Sequence, residues 1–181
     1  MSDGAQPSAS RVMSDKDMER AIARMSREIL EANRGLDGLC LIGIRRGGVP
    51  LAARLGAELT RAEGGKVPSG VLDIGLYRDD VVRVRPEVFP THIPFAIDDR
   101  SVVLVDDVLF TGRTVRAALD ELMDFGRPKR VWLAALIDRG GRELPIRADF
   151  TGRTLAVSAG EKVEVRFREE GGEDAVMVVR R

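Results

Sequence analysis

Two carboxylates, Asp106 and Asp107, stand directly behind the apolar run Val102-Val103-Leu104-Val105, and the chain continues through Val108-Leu109-Phe110 to Thr111-Gly112-Arg113-Thr114. The apolar run reads as a buried strand. Val115 to Phe125 then carries helical spacing, so the Thr-Gly-Arg-Thr turn opens a helix. A helix N-terminus presents unpaired N–H groups and the positive end of a dipole, which attract phosphate. Gly112 lets the backbone come close to an anion, and Thr111 and Thr114 add hydroxyl donors. The aspartates need other partners, because carboxylates repel phosphate. Vicinal ribose hydroxyls, or a Mg²⁺ ion held by those hydroxyls, match them. Asp106 to Thr114 as a whole suits a ribose 5-phosphate. An ordinary strand–turn–helix with exposed aspartates is the bland alternative.

A second anion loop precedes it. Gly38 to Ile44 reads as a short buried strand, followed by Arg45-Arg46-Gly47-Gly48-Val49-Pro50 and a helix from about Leu51 to Arg61. Glycines and arginines between a strand and a helix supply the backbone donors that a leaving pyrophosphate needs. A plain strand–helix turn is the alternative. A third feature follows the strand Val71 to Leu76. From Tyr77-Arg78-Asp79-Asp80 to Arg100 the chain is irregular, with Pro86, Pro90, Pro94 and the sole histidine, His92. This segment is expected to form a flexible hairpin over the site, excluding water from a reactive sugar cation and bringing Arg78 onto pyrophosphate. His92 reads as an exposed loop residue. A fourth loop, starting at Asp138-Arg139, leaves the apolar strand Arg130 to Ile137 where a base would lie beside the ribose.

These loops need a frame that brings strand ends together. Strands alternate with helices, which implies an α/β fold: a parallel sheet flanked by helices, with ligands beyond the strands' C-terminal ends. Ser14 and Asp17 form a capping box for a helix that runs to about Asn33 and ends at Gly35. Met18, Ile22, Met25, Ile29 and Ala32 give it an apolar face. Arg20, Arg24, Arg27 and Arg34 fall opposite, as a solvated face or as a stripe facing RNA or a dimer partner. Short strands near Leu155 to Val157, Val163 to Phe167 and Val176 to Val179 complete the chain. Residues 1–12, rich in Ser, Ala and Gly, read as a disordered tail before one domain over 13–181.

At 181 residues the chain can bury a sizeable core in one domain. Lysine plus arginine and aspartate plus glutamate number 29 each, so any nucleic-acid site must be a local patch. No apolar run has the length of a membrane span, and the N-terminus lacks a signal-peptide core, so a cytoplasmic protein is expected. The single cysteine, Cys40, sits in an apolar run and reads as core.

The stretch from Val103 to Thr114 resembles the phosphoribosyl-pyrophosphate motif of the type I phosphoribosyltransferases. Leu76-Tyr77-Arg78-Asp79-Asp80, that motif, Asp138-Arg139-Gly140 and Arg142-Glu143-Leu144-Pro145-Ile146-Arg147-Ala148-Asp149 occur in this order. Together, over about Ser14 to Phe167, they resemble the family of bifunctional pyrimidine operon attenuation regulators with uracil phosphoribosyltransferase activity. The resemblance implies transfer of a phosphoribosyl group from phosphoribosyl pyrophosphate to uracil, giving UMP and pyrophosphate with Mg²⁺. It also implies UMP-dependent binding to a hairpin in the leader mRNA of pyrimidine biosynthesis genes, favouring transcription termination, and a homo-oligomer, dimer or larger. By this likeness Asp106 and Asp107 hold ribose hydroxyls, and Thr111, Gly112 and Thr114 hold the 5′-phosphate. Arg78 serves pyrophosphate, with Asp79 or Asp80 near the metal. Asp138 and Arg139 frame uracil through backbone groups, and Arg24, Arg142, Arg147 and Arg153 belong to the RNA-facing surface. Two departures stand out. The family usually has Thr-Arg-Gly where this chain has Arg46-Gly47-Gly48, and many members carry histidine at the position of Gly141. A plain phosphoribosyltransferase without an RNA role, and a nucleotide-sensing RNA binder with vestigial catalysis, remain the rival readings. The regulator reading needs its four arginines on one contiguous face.

Overall fold

A computed structural model describes residues 9–75 and 89–180. Five strands form a parallel sheet in the order β3-β2-β4-β5-β6: β2 is Leu39–Ile44, β3 Ser69–Leu72, β4 Ser101–Leu109, β5 Arg130–Asp138 and β6 Phe150–Thr154. Successive residues of β4 divide between two cores. Val103 and Val105 face α1 (Asp15–Asn33) and α2 (Gly48–Glu63), while Val102 and Leu104 face α3 (Arg113–Leu122). Burial on both faces explains why β2 and β4 read as continuous apolar runs rather than alternating ones. Cys40 is fully buried in the α3-side core, and burial pushes its thiol up to about 11.

Local signals account for several element ends. The Asp17 N–H donates to Ser14 Oγ at 3.3 Å and the Ser14 N–H to Asp17 Oδ2 at 3.0 Å, which completes the capping box of α1. The same backbone and side-chain hydrogen bonds from Ser14 hold the Asp17 carboxyl below its ordinary range. Arg34 takes the left-handed conformation at the other end, and the Gly35 N–H donates to Leu30 O at 3.0 Å.

The structure departs from the sequence reading at four places. Ala9–Met13 forms a strand, β1, although Ala9 to Val12 fall in the segment read as a disordered tail. Its hydrogen-bonding partner is β8 (Ala175–Arg180), some 170 positions away in the register Ala9↔Val179, so local composition carried no signal. With β7 (Glu161–Arg166) these strands form a separate antiparallel sheet, β1-β8-β7. The strand sought at Leu155 to Val157 lies at Phe150–Thr154, where Phe150 packs edge-on against Trp132 with ring centroids 5.8 Å apart. β3 spans Ser69–Leu72 rather than Val71 to Leu76. Finally, α2 starts at Gly48, before Leu51, because Gly48 sits where only a glycine fits against β4.

The antiparallel sheet is fastened to α2 by ions. Asp174, 5% exposed, accepts from Arg54 Nη1 at 3.0 Å and Nη2 at 2.6 Å, and from the Arg168 N–H at 2.8 Å. Arg54 also donates to Glu169. Burial acts to raise the Asp174 carboxyl, but the hydrogen bonds from Arg54 and Arg168 outweigh it and hold the group at about 2.

Candidate active site

β4 ends in the acid pair and turns directly into the N-terminus of α3. Asp106 is buried and Asp107 half-buried. The Asp107 N–H donates to Asp106 Oδ1 and the Val108 N–H to Asp107 Oδ1, both at 3.0 Å, so each carboxylate is fixed by the backbone that follows it. Gly112 holds φ +92° at the N-cap position of α3 and offers no side chain there. The Arg113 N–H donates to Thr111 Oγ1 at 3.3 Å. A cavity of ≈ 460 Å³ opens here. Asp106 and Val108 through Val115 form one wall, Arg139 and Glu143 another, and Lys162 and Val163 of β7 close it from the antiparallel sheet.

The Arg45-Arg46-Gly47 loop arrives from β2 and lies against the same acid pair. A Cβ on Gly47 would stand 2.3 Å from the Asp107 carboxylate, and one on Gly48 2.1 Å from Val105 O. A side chain at Gly47 would displace the Asp107 carboxylate, and one at Gly48 would displace β4 itself. This bears on the departure at Gly47: the loop comes so close to Asp107 that the arginine usual in the family would have to displace its carboxylate. The Arg45–Arg46 peptide is cis. Arg46 is exposed, whereas Arg45 is partly buried with its guanidinium 4.6 Å from the Phe89 ring centroid.

The connection after β5 is laced to the phosphate loop. The Arg139 N–H donates to Leu109 O at 3.1 Å, and the N–H groups of Glu143 and Leu144 donate to Thr111 O at 2.9 and 3.2 Å. Arg113 pairs with Glu143 Oε2 at 2.9 Å. Asp138 Oδ1 accepts from the Gly140 N–H at 2.9 Å, so this carboxylate shapes the turn. The Arg139 guanidinium lies 3.9 Å from the Phe110 ring centroid, and its Nε is buried without a hydrogen bond among the described residues. Gly141 has φ +78°, and a Cβ there would meet the Phe110 ring at 2.8 Å. A histidine at this position would require Phe110 to move.

The four arginines assigned to an RNA-facing surface separate into two pairs. Arg24 donates to Thr151 O and Gly152 O at 3.1 and 2.5 Å where α1 crosses β6, and Arg153 donates to Val12 O at 2.7 Å. Arg142 and Arg147 are exposed on the connection whose Ile146 and Ala148 pack on the α3 side of the sheet. Arg78, Asp79 and Asp80 lie outside the described residues. His92 is exposed, pairing through its backbone with Val71.

Sequence reasoning missed Glu143, Lys162 and Val163 as cavity residues. Glu143 had a visible signal, an acid within an arginine-rich loop at a strand end. Lys162 and Val163 had none, because they come from the separate antiparallel sheet.

A family model for the phosphoribosyl transferase domain matches residues 8–167. The bifunctional protein PyrR of Thermus aquaticus is 53% identical over 167 residues, covering 91% of this chain and 92% of that protein. That of Roseiflexus sp. strain RS-1 is 55% identical over 172 residues, covering 93% and 94%. Among solved structures, the hypoxanthine phosphoribosyltransferase of Trypanosoma cruzi superposes with a TM-score of 0.71 at 18% identity, over 94% of this chain and 96% of that one, a likeness of fold. The chain belongs to the phosphoribosyl transferase domain family and, within it, to the bifunctional PyrR proteins.

Proposed function

We propose that this cavity transfers the phosphoribosyl group of phosphoribosyl pyrophosphate to N1 of uracil, and that the UMP-loaded protein binds a hairpin in the leader mRNA of pyrimidine biosynthesis genes and favours termination. The observation that carries the transferase half is the 2.3 Å approach of a Gly47 Cβ position to Asp107. It sets a pyrophosphate-suited loop against a ribose-suited acid pair beside the N-terminus of α3. In this reading the C1–O bond to pyrophosphate breaks, a C1–N1 bond to uracil forms, and the N1 proton of uracil passes to the departing pyrophosphate or to water. Asp106 and Asp107 orient the ribose hydroxyls, and Thr111 to Thr114 hold the 5′-phosphate on the α3 dipole. The backbone of Arg45 to Gly47 receives the leaving group, with Arg78 assigned to it as well. Asp138 and Arg139 border the uracil. No residue acts as a nucleophile; positioning and fixed dipoles carry the rate.

The residues fit Mg²⁺. Among the described residues no group of three or more His, Cys, Asp or Glu side chains could cage a metal. Two adjacent carboxylates beside a phosphate site suit an ion that binds through one or two carboxylates and completes its shell with substrate oxygens. Asp79 and Asp80 belong to the same assignment. Mg²⁺ held by these carboxylates would supply charge neutralisation for the departing pyrophosphate.

The relatives' designation as bifunctional supports the RNA half. UMP, uracil, phosphoribosyl pyrophosphate and leader mRNA are the proposed partners, within a homo-oligomer in the cytoplasm. Among the described residues, no helix is long and apolar enough to cross a membrane. A second reading, a transferase without RNA regulation, would follow if Arg24, Arg142, Arg147 and Arg153 shared no contiguous face across a dimer. The test of the transferase half is UMP formation from uracil and phosphoribosyl pyrophosphate with Mg²⁺. Replacing both Asp106 and Asp107 with Asn should lower kcat by about 100-fold or more with the thermal transition retained, the scale on which lost electrostatic positioning acts. Unchanged turnover contradicts the assignment.

A further inference from the structure

We infer that Asp73 is a positioning residue for the pyrophosphate half of the site, joining the glycine-arginine loop to the backbone at Gly75 and Phe89 through one carboxylate. The inference rests on the transferase reading and adds a residue that neither motif nor spacing singles out.

Asp73 follows β3, and its side chain is 7% exposed. Oδ1 accepts the Gly75 N–H at 2.8 Å, and Oδ2 accepts the Phe89 N–H at 2.7 Å. Gly75 and Phe89 are the described residues that flank 76–88, the segment carrying Arg78, Asp79 and Asp80. The same Oδ2 lies 3.9 Å from Arg45 Nε, which is buried and makes no hydrogen bond among the described residues. The Arg45 guanidinium in turn covers the Phe89 ring at 4.6 Å, and the Arg45 N–H donates to Leu72 O at 2.9 Å. Two arms further back fix Asp73 itself. Its N–H donates to Thr91 Oγ1 at 3.0 Å, and the Thr91 hydroxyl donates to Glu121 of α3, the helix that opens the phosphate loop.

The chemistry requires a carboxylate of this length. Both oxygens accept backbone N–H groups, and the negative charge faces a buried guanidinium. Asparagine turns one acceptor into a donor and removes the charge, and glutamate moves both oxygens by a methylene. The clasp touches neither the acid pair nor the N-terminus of α3. Its loss therefore acts on pyrophosphate and spares the nucleotide.

The test is calorimetric titration of the full-length wild type and Asp73→Asn with Mg²⁺-pyrophosphate and, separately, with UMP, together with KM for each substrate. The expected result is a roughly tenfold weakening of pyrophosphate binding and a matching rise in KM for phosphoribosyl pyrophosphate, from a loop held slightly out of place. UMP affinity and KM for uracil stay at wild-type values. Equal losses for pyrophosphate and UMP, or no loss for either, overturn the inference while leaving the transferase reading intact. A wild type that binds neither ligand overturns both. Should Asp73→Asn fail to fold, Arg45→Met removes the guanidinium arm with Asp73 in place and must give the same split.

Discussion

Asp107 is held from two sides: its Oδ1 accepts the Val108 N–H at 3.0 Å, and Gly47 leaves its carboxylate no clearance for a facing side chain. Gly47→Ala should accordingly push the loop or the acid out of place. A fall in kcat/KM for phosphoribosyl pyrophosphate of about 100-fold is expected, the scale of a 1 Å misplacement, with a melting temperature close to wild type. Steady-state kinetics beside a thermal melt check it. Cys40, with its thiol raised to about 11 by burial, should resist a thiol reagent at neutral pH until the chain is unfolded. At this scale the sequence was most legible where residues with one task are contiguous. Asp106 to Thr114 could be read in order because strand, acids, turn and helix start follow one another. Asp73 and Lys162 could not, because each meets its part of the site through residues distant in the chain, and Glu143 showed only as an acid within an arginine-rich loop.

Elements place these residues by close approach and by ion pairing. α2 begins at Gly48 because its first turn rides on Val105 O, and its middle is bound to the antiparallel sheet by Arg54. With the Arg54 side chain 16% and the Asp174 side chain 2% exposed, removing Arg54 takes one of two guanidinium partners from a buried carboxylate and leaves it to Arg168. Arg54→Ala should destabilise the fold by about 2 kcal/mol, the scale of hydrogen bonds lost to a charged group, measured by urea unfolding at neutral pH. The pH dependence has a fixed sign. The Asp174 carboxyl lies at about 2 when folded against an ordinary 3.8, so its contribution is fully present above the ordinary value and is lost as pH falls toward 2. Asp174→Asn should remove that part of the acid sensitivity. Parallel acid profiles for wild type and variant would contradict it. The helices and central strands of this layer were legible from apolar runs and caps. β1 and β6 were not, since edge strands owe their hydrogen bonds to partners rather than to a local pattern.

At the scale of the whole molecule, the parallel sheet converges three loops on one end, and the antiparallel sheet contributes Lys162 and Val163 to the cavity they form. The alternation of strands and helices foretold the first sheet; nothing in composition foretold that the C-terminal strands would pair with the N-terminus as a second. The balanced charge of 29 cationic and 29 acidic residues confines any RNA contact to local patches, and the two arginine pairs are the candidates. Replacing Arg142 and Arg147 with Ala should weaken RNA binding and reduce the salt slope by about one for each arginine that had neutralised a phosphate. A salt slope equal to wild type would remove them from the RNA surface. The most direct measurement is a titration of a leader-type hairpin from the chain's own genome, with and without UMP, at fixed salt. The bifunctional reading requires sequence-selective binding that UMP tightens by about tenfold, a coupling of roughly 1.4 kcal/mol. Weak binding that ignores UMP and disappears at moderate salt would contradict it, leaving a phosphoribosyltransferase without a regulatory RNA.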